Sequence, residues 1–240
     1  MRVQRQITIA LLTIFLSFTY ISNSMNLHYP GFLCSIEGID GSGKSTLVQN
    51  LKQLFSKTDI QTFFTREPGA TNLGKKLRNI ILEKEVTTCP LTEFLLFAAD
   101  RAQHFQEFIM PKLAQGTMII SDRMADSSIA YQGYLKGLDT DMIKTINTWC
   151  MQSIKPDITI YLKISAQDAQ KRISSTRTIS DKFEQELYDH LEKIIYAFDT
   201  IFANRDNVII IDAMQGADEI SQKVFEKIVQ LYQKKQYAIK

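Results

Sequence analysis

Gly38-Ile39-Asp40-Gly41-Ser42-Gly43-Lys44-Ser45 satisfies the spacing G-x-x-x-x-G-K-[ST] in full. The chemistry that needs this pattern is the cradling of a polyphosphate. The glycines let backbone N–H groups turn inward around phosphate oxygens, Lys44 reaches the terminal phosphates, and the Ser45 hydroxyl is placed to ligate Mg²⁺. The apolar run Phe32–Ile36 directly precedes the loop, and Leu47, Leu51, Leu54 and Phe55 repeat at helical spacing directly after it. An anion bound there sits at a helix N-terminus, where orphan N–H groups and the dipole favour negative charge. Gly38 through Thr46 therefore reads as a nucleoside triphosphate site.

Further residues suit a second, phosphorylated substrate. In Thr65-Arg66-Glu67-Pro68-Gly69, Pro68 ends a strand and Gly69 permits a sharp turn, but a pure turn needs neither Arg66 nor Glu67. A solvated charged turn is the plainer reading. Gly74-Lys75-Lys76-Leu77-Arg78 gives the next helix a cationic side. Phe97 and Arg101, four apart, share a helix face. An aromatic plate beside a guanidinium suits a base attached to a phosphate, since stacking tolerates any planar heterocycle and Arg grips phosphate bidentately. A core Phe with a surface Arg fits the spacing too. Asp122-Arg123 puts an acid and a base at a strand end, Asp122 for Mg²⁺ or its water and Arg123 for a phosphate. Ser128 and Gln132 follow one turn apart, and the Gln132 amide offers the donor and acceptor that reading an imide edge requires.

Elements must bring these residues together. The runs Phe32–Ile36, Gln61–Thr65, Met118–Ser121, Ile158–Ile164 and Val208–Ile211 alternate with helical patterns, which predicts an α/β fold with a five-stranded parallel sheet. Their continuous apolar character predicts strands covered on both faces. Helices are expected at Ser45–Phe55, Leu73–Glu83, Leu91–Leu113, Ser127–Tyr134, Thr140–Ser153, Ala166–Arg172, Lys182–Ala203 and Asp218–Gln233. Ligands of such sheets bind beyond the carboxyl ends of the strands. The polar stretch from Arg172 through Arg177 to Glu184 reads as a short lid. Lid arginines supply charge on closing, and phosphoryl transfer depends on positioning, neutralisation and exclusion of water.

Bulk properties narrow the class. A chain of 240 residues accommodates one domain, expected at 25–240, and a net charge of +2 without a long basic run argues against a nucleic-acid polymer as partner. Cys34, Cys89 and Cys150 are odd in number and unpaired in spacing, as reduced thiols would be. His28, His104 and His190 show no metal-ligand spacing and read as surface or core-edge residues. Residues 1–24 are awkward: Arg2 and Arg5 precede the apolar run Ile7–Ile21, which resembles a signal-peptide core. The run is short for a membrane span and no A-x-A site follows it before Met25. Met25 is therefore read as the true start of a cytoplasmic protein, with a genuine anchor or presequence as the alternative.

The loop with Asp40, the Arg66-Glu67-Pro68-Gly69 turn, Phe97 to Arg101, and Asp122-Arg123 through Ala130-Tyr131-Gln132-Gly133 together resemble the bacterial thymidylate kinases, over essentially Gly31 to Lys240. The resemblance implies the P-loop nucleoside monophosphate kinase fold. It further implies a Mg²⁺-dependent homodimer that passes a phosphoryl group from ATP to dTMP, giving dTDP and ADP in dTTP synthesis. Carried onto this chain, Asp40 meets the 3′-hydroxyl and Glu67 organises the site, while Arg78, Arg101 and Arg123 hold the monophosphate. Phe97 stacks on thymine, Gln132 with Ser128 reads the base edge, and Tyr131 packs where a ribose 2′-hydroxyl would intrude. Lys44 and Arg123 act with the lid residues Arg172 and Arg177 on the transferring group, since the phosphate loop has no cation before Lys44. The family's dimer faces would fall on the helices at Leu91–Leu113 and Thr140–Ser153. Ala70, Met124 and Lys182 depart from the family's usual residues. The nearest rival is a P-loop kinase for another nucleoside monophosphate or nucleoside. The chain lacks the N-K-x-D motif of a switch GTPase and the L-S-G-G-Q signature of a transport ATPase.

Overall fold

The five apolar runs become β1 (Phe32–Glu37), β2 (Thr62–Arg66), β3 (Met118–Asp122), β4 (Ile158–Lys163) and β5 (Val208–Asp212), all parallel in the order β2-β3-β1-β4-β5. The helices are α1 (Lys44–Phe55), α2 (Asn72–Leu82), α3 (Pro90–His104), α4 (Met110–Ala114), α5 (Ala125–Ser128), α6 (Thr140–Cys150), α7 (Ala166–Ser174), α8 (Asp181–Phe202) and α9 (Ala217–Ile239). This computed structural model describes residues 29–83, 88–175 and 181–239, without the side chains of 181–187 and 239. Residues 1–24 and Arg177 of the expected lid lie outside the described residues, as does the Lys182 side chain.

Alternation along the strands builds two apolar layers. Cys34, Ile36 and Ile120 face a large core completed by Leu47, Leu51 and Phe55 of α1, Leu191, Ile194 and Phe198 of α8, and Val224 and Ile228 of α9. Leu33 and Ile119 face the opposite side, against Phe105, Ile109 and Leu113. The central strands β1, β3 and β4 are buried as expected. The edge strands differ from the expectation of coverage on both faces: β2 is only half-buried, and Ile210 of β5 is 55% exposed. An edge strand loses one neighbour, and here part of its cover with it.

Two expected helices are not regular. Leu91–Leu113 is α3, a π-helical segment Phe105–Ile109, and α4. A π turn adds a residue to the coil and so rotates the succeeding turns about the axis, which here accompanies the burial of both Phe105 and Ile109 on the sheet. Ser127–Tyr134 is likewise α5 followed by a π-helical segment, Ile129–Leu135. Capping follows local chemistry: Thr71, Asp139 and Ser165 accept backbone N–H bonds at the starts of α2, α6 and α7.

Candidate active site

Register brings the chemistry to one edge. Ile36 lies opposite Asp122, and Asp122 opposite Arg66, so Glu37, Asp122 and Arg66 end three adjacent strands together. Beyond them opens a cavity of about 650 Å³. Asp40 through Leu47 of the loop and α1, Glu67, Asp122 and the guanidinium groups of Arg66, Arg78, Arg123 and Arg172 line it, with Ala213, Gln215 and Ile220 at the β5 end. Of the expected site residues, Gly38, Ile39, Phe97, Arg101, Ser128, Tyr131 and Gln132 do not line this cavity.

The loop folds as its spacing demands. Gly41 sits at φ 80°, and a Cβ there would stand 2.7 Å from the Ala169 carbonyl oxygen of α7, so only glycine closes the loop this tightly. Gly43 caps α1 without a side-chain bond, and no acid occupies the first turn, which leaves the positive end of the helix facing the cavity. Lys44 folds back so that its ammonium donates to the Ile39 carbonyl at 2.7 Å. Burial and the Arg123 guanidinium push the Lys44 ammonium down to about 7, against the pull of Asp40, Asp122 and Glu37. Asp122 Oδ1 is buried and accepts no hydrogen bond among the described residues, an orphan that a hard cation beside Ser45 would satisfy.

Arg123 is held from every side. Its backbone is left-handed at φ 68°, a conformation that costs a non-glycine residue on the order of 1 kcal/mol. Glu37 accepts the Met124 N–H at 2.7 Å and the Ser127 hydroxyl at 2.6 Å, which fixes the turn on either side of that strain. Burial and the Asp126 carboxylate push Glu37 up to about 8, against its two hydrogen bonds and the Arg123 charge. The Arg123 guanidinium donates to the Gly38 carbonyl at 3.0 Å and to Asp40 Oδ1 at 2.6 Å, and lies over the Tyr131 ring. Burial and the nearby Arg66 charge lower the Arg78 pKa. Arg66, Arg78 and Arg123 thus form a cationic end that an anion would relieve.

Arg101 lies inside the wall instead of on it. Its Nε donates to Glu67 Oε2 at 2.8 Å, Nη1 to Asn147 Oδ1 at 2.7 Å, and Nη2 to the Met124 carbonyl and the Ser128 hydroxyl. His104 Nδ1 meets Glu67 Oε1 at 3.0 Å, while its Nε2 shares a 2.7 Å bond with Thr65. Burial alone would raise the Glu67 pKa; Arg101 and His104 reverse that and hold it below its ordinary value. The Glu67-Pro68 peptide is cis, and the Gly69 N–H donates to Asp100 Oδ1 at 3.0 Å. His104, which the sequence places at the surface or core edge, is fully buried. Its spacing of three from Arg101 on one helix is the signal that could have found it. Glu37 stands at a strand end where ligands of such sheets are expected, but the sequence assigns it no role, although an acid ending an apolar strand marks a buried polar group.

Two polar rungs join α3 to the segment after β3. Arg101 reaches Ser128, and two turns earlier on α3 Glu93 accepts the Gln132 amide N–H at 2.8 Å. The half-buried Phe97 lies between them on α3, four residues from each. At the donor end, Arg172 donates to the Gly41 carbonyl at 3.3 Å and the Ala213 carbonyl at 2.9 Å, so it ties the phosphate loop to the chain after β5.

A phosphate loop at one end of a cavity and a guanidinium cluster at the other suit two phosphorylated ligands meeting. Residues 36–224 match the model of the family described as thymidylate kinase. A thymidylate kinase of Halothermothrix orenii is 38% identical over 203 residues, covering 82% of this chain and 96% of that protein. One of Prochlorococcus marinus is 39% identical, covering 85% and 94%, and one of Mesoplasma florum is 36% identical, covering 83% and 97%. Matched over 82–85% of its length at these identities, the chain belongs to the thymidylate kinase family.

Proposed function

We propose that the chain transfers the γ-phosphoryl group of ATP to dTMP, giving ADP and dTDP, in preference to serving another nucleoside monophosphate or a nucleoside. The observation that carries the reading is the shared cavity in which Lys44 and the phosphate loop face Arg66, Arg78 and Arg123. Phosphoryl transfer asks for alignment and charge neutralisation more than for covalent help. Backbone N–H groups from Gly41 to Thr46 and the Lys44 ammonium hold the donor's phosphates. Arg66, Arg78 and Arg123 hold the acceptor's phosphate, with Asp40 fixing Arg123 and meeting the 3′-hydroxyl. Arg101, bonded within the wall, serves here by holding Glu67 and Ser128 in place. Phe97 stacks on the thymine, Gln132 and Ser128 face its edge, and Tyr131 packs against the sugar. Arg172, and Arg177 from the lid, approach the group in flight.

Ser45 and Asp122 would hold Mg²⁺, whose chemistry is to neutralise and orient the donor's phosphate oxygens. No cluster of three His, Cys, Asp or Glu occurs among the described residues, and a site completed by substrate phosphates and water needs none. The protein is proposed to work in the cytoplasm, where ATP is available. Among the described residues no helix is long and apolar enough to cross a membrane. A homodimer would use the exposed Leu91 and Leu95 of α3 and Trp149 of α6.

The test is coupled ADP release by a chain starting at Met25, with ATP, Mg²⁺ and each of dTMP, dUMP, dCMP, UMP, AMP and GMP. A preference for dTMP with dUMP weaker supports the reading. Turnover only with another acceptor overturns it, and a monomer by light scattering at assay concentration removes the dimer.

A further inference from the structure

Glu93 lies on α3, outside the phosphate cavity and with no part in the transfer. Its carboxylate is nonetheless fully used. Oε1 accepts the Gln132 side-chain N–H at 2.8 Å, and Oε2 holds the Lys136 ammonium. A carboxylate already engaged by an ammonium can only accept, so the atom of Gln132 turned toward Glu93 must be its NH₂ group. The Gln132 residue is 4% exposed, and the one side-chain hydrogen bond it makes among the described residues is the N–H given to Glu93. An amide with one N–H given to Glu93 cannot turn over without setting its carbonyl against a carboxylate.

We infer that Glu93 is a positioning residue that sets which pyrimidine edge the site accepts, because by taking an N–H of the Gln132 amide it fixes which way the amide faces, with the carbonyl as the end turned away from Glu93 and toward the base. The inference rests on the proposed role of Gln132 at the base edge. A carbonyl accepts from the N3–H of an imide, as in thymine or uracil. Cytosine presents a bare N3 lone pair at that position and is repelled. An amide free to rotate would serve both, so discrimination resides in the partner that removes the freedom. Specificity of this kind works by leaving the wrong ligand's polar atom unpaired.

The isosteric variant Glu93→Gln tests it. Lys136 only donates, so it pairs with the carbonyl end of the new amide, which turns the NH₂ to Gln132. Gln132 must then accept with its own carbonyl and present NH₂ to the base. The expected result is a fall of about tenfold or more in the ratio of kcat/KM for dTMP to that for dCMP, the size of one mispaired buried hydrogen bond. The fall should come mainly from KM. The ratio of dTMP to dUMP should hold within about twofold, because both carry the imide edge; that second ratio separates base reading from general loosening of α3. The inference is overturned if Glu93→Gln keeps the dTMP to dCMP ratio while Gln132→Leu loses it, which would leave the Gln132 role standing. It is overturned equally if both ratios collapse together. If neither Glu93→Gln nor Gln132→Leu moves the dTMP to dCMP ratio, the reading of Gln132 fails and the inference with it.

Discussion

Glu67 and Arg101 meet at 2.8 Å within the cavity wall, where both side chains are almost wholly excluded from solvent. The pair joins the turn after β2 to α3, and through Asn147 to α6. Removing one partner of a buried pair strands the other charge. Arg101→Met should therefore cost about 3–5 kcal/mol of stability. Arg101→Lys should recover little, since one ammonium cannot reach Glu67, Asn147, Met124 and Ser128 in their different directions. Urea unfolding of the two variants checks this; a Lys variant as stable as the parent would count against the assigned role.

Lys44 couples protonation to ligand binding. Its folded value of about 7 lies below the ordinary lysine value of 10.5. Between those values the unfolded chain binds more protons than the folded one, so this residue makes stability rise with pH across that window. Polyphosphate restores the ammonium, and ATP binding at pH 8 should take up a large part of a proton. Calorimetry in two buffers of different ionisation enthalpy measures it, and binding heats identical in the two buffers would refute it. Lys44→Ala should remove turnover, a loss of at least about 10²-fold, while dTMP binding persists because the change touches the donor side.

Asp122 should reveal the metal. Chelation by EDTA is expected to stop turnover and added Mg²⁺ to restore it. Asp122→Asn should raise the Mg²⁺ concentration for half-maximal rate by about tenfold or more. A titration unchanged by the substitution would take Asp122 out of the metal's shell.

Gly74 is where α2 approaches α3 closely. A Cβ at this position would lie 2.2 Å from Asp100 Oδ1, the atom that accepts the Gly69 N–H. Gly74→Ala should cost about 1–3 kcal/mol through overpacking and raise the KM for dTMP through the displaced turn. Thermal melts together with dTMP saturation curves give both numbers, and an unaltered KM would uncouple the turn from the acceptor.

The readable and unreadable parts of this chain divide by distance along it. The phosphate loop, all five strands and the capped helix starts depend on neighbours within a few residues, so residue type and spacing carry them. The wall behind the cavity does not. Glu67 finds Arg101 34 residues away and His104 37 away, and Arg101 finds Asn147 46 away. Spacing alone presents Arg101 beside Phe97 as a phosphate ligand, whereas its guanidinium is turned into the wall by acceptors that only the fold delivers. The π-helical segments are invisible for a similar reason: the partners of Phe105 and Ile109 in the first of them, Leu33 and Ile119 on the sheet, are delivered by the fold.

The strand order has a consequence for where along the chain acceptor choice resides. β2 and β3 lie on one side of β1 and β4 and β5 on the other, so the chain crosses from the first side to the second only once, between β3 and β4. Everything proposed to recognise the nucleotide being phosphorylated, apart from the loop after β1, falls in the uninterrupted stretch from β2 to the segment after β3. Acceptor choice is thereby concentrated in one continuous stretch of chain, which also carries Asp122 of the proposed metal site at the end of β3, while the phosphate loop and Arg172 lie outside it.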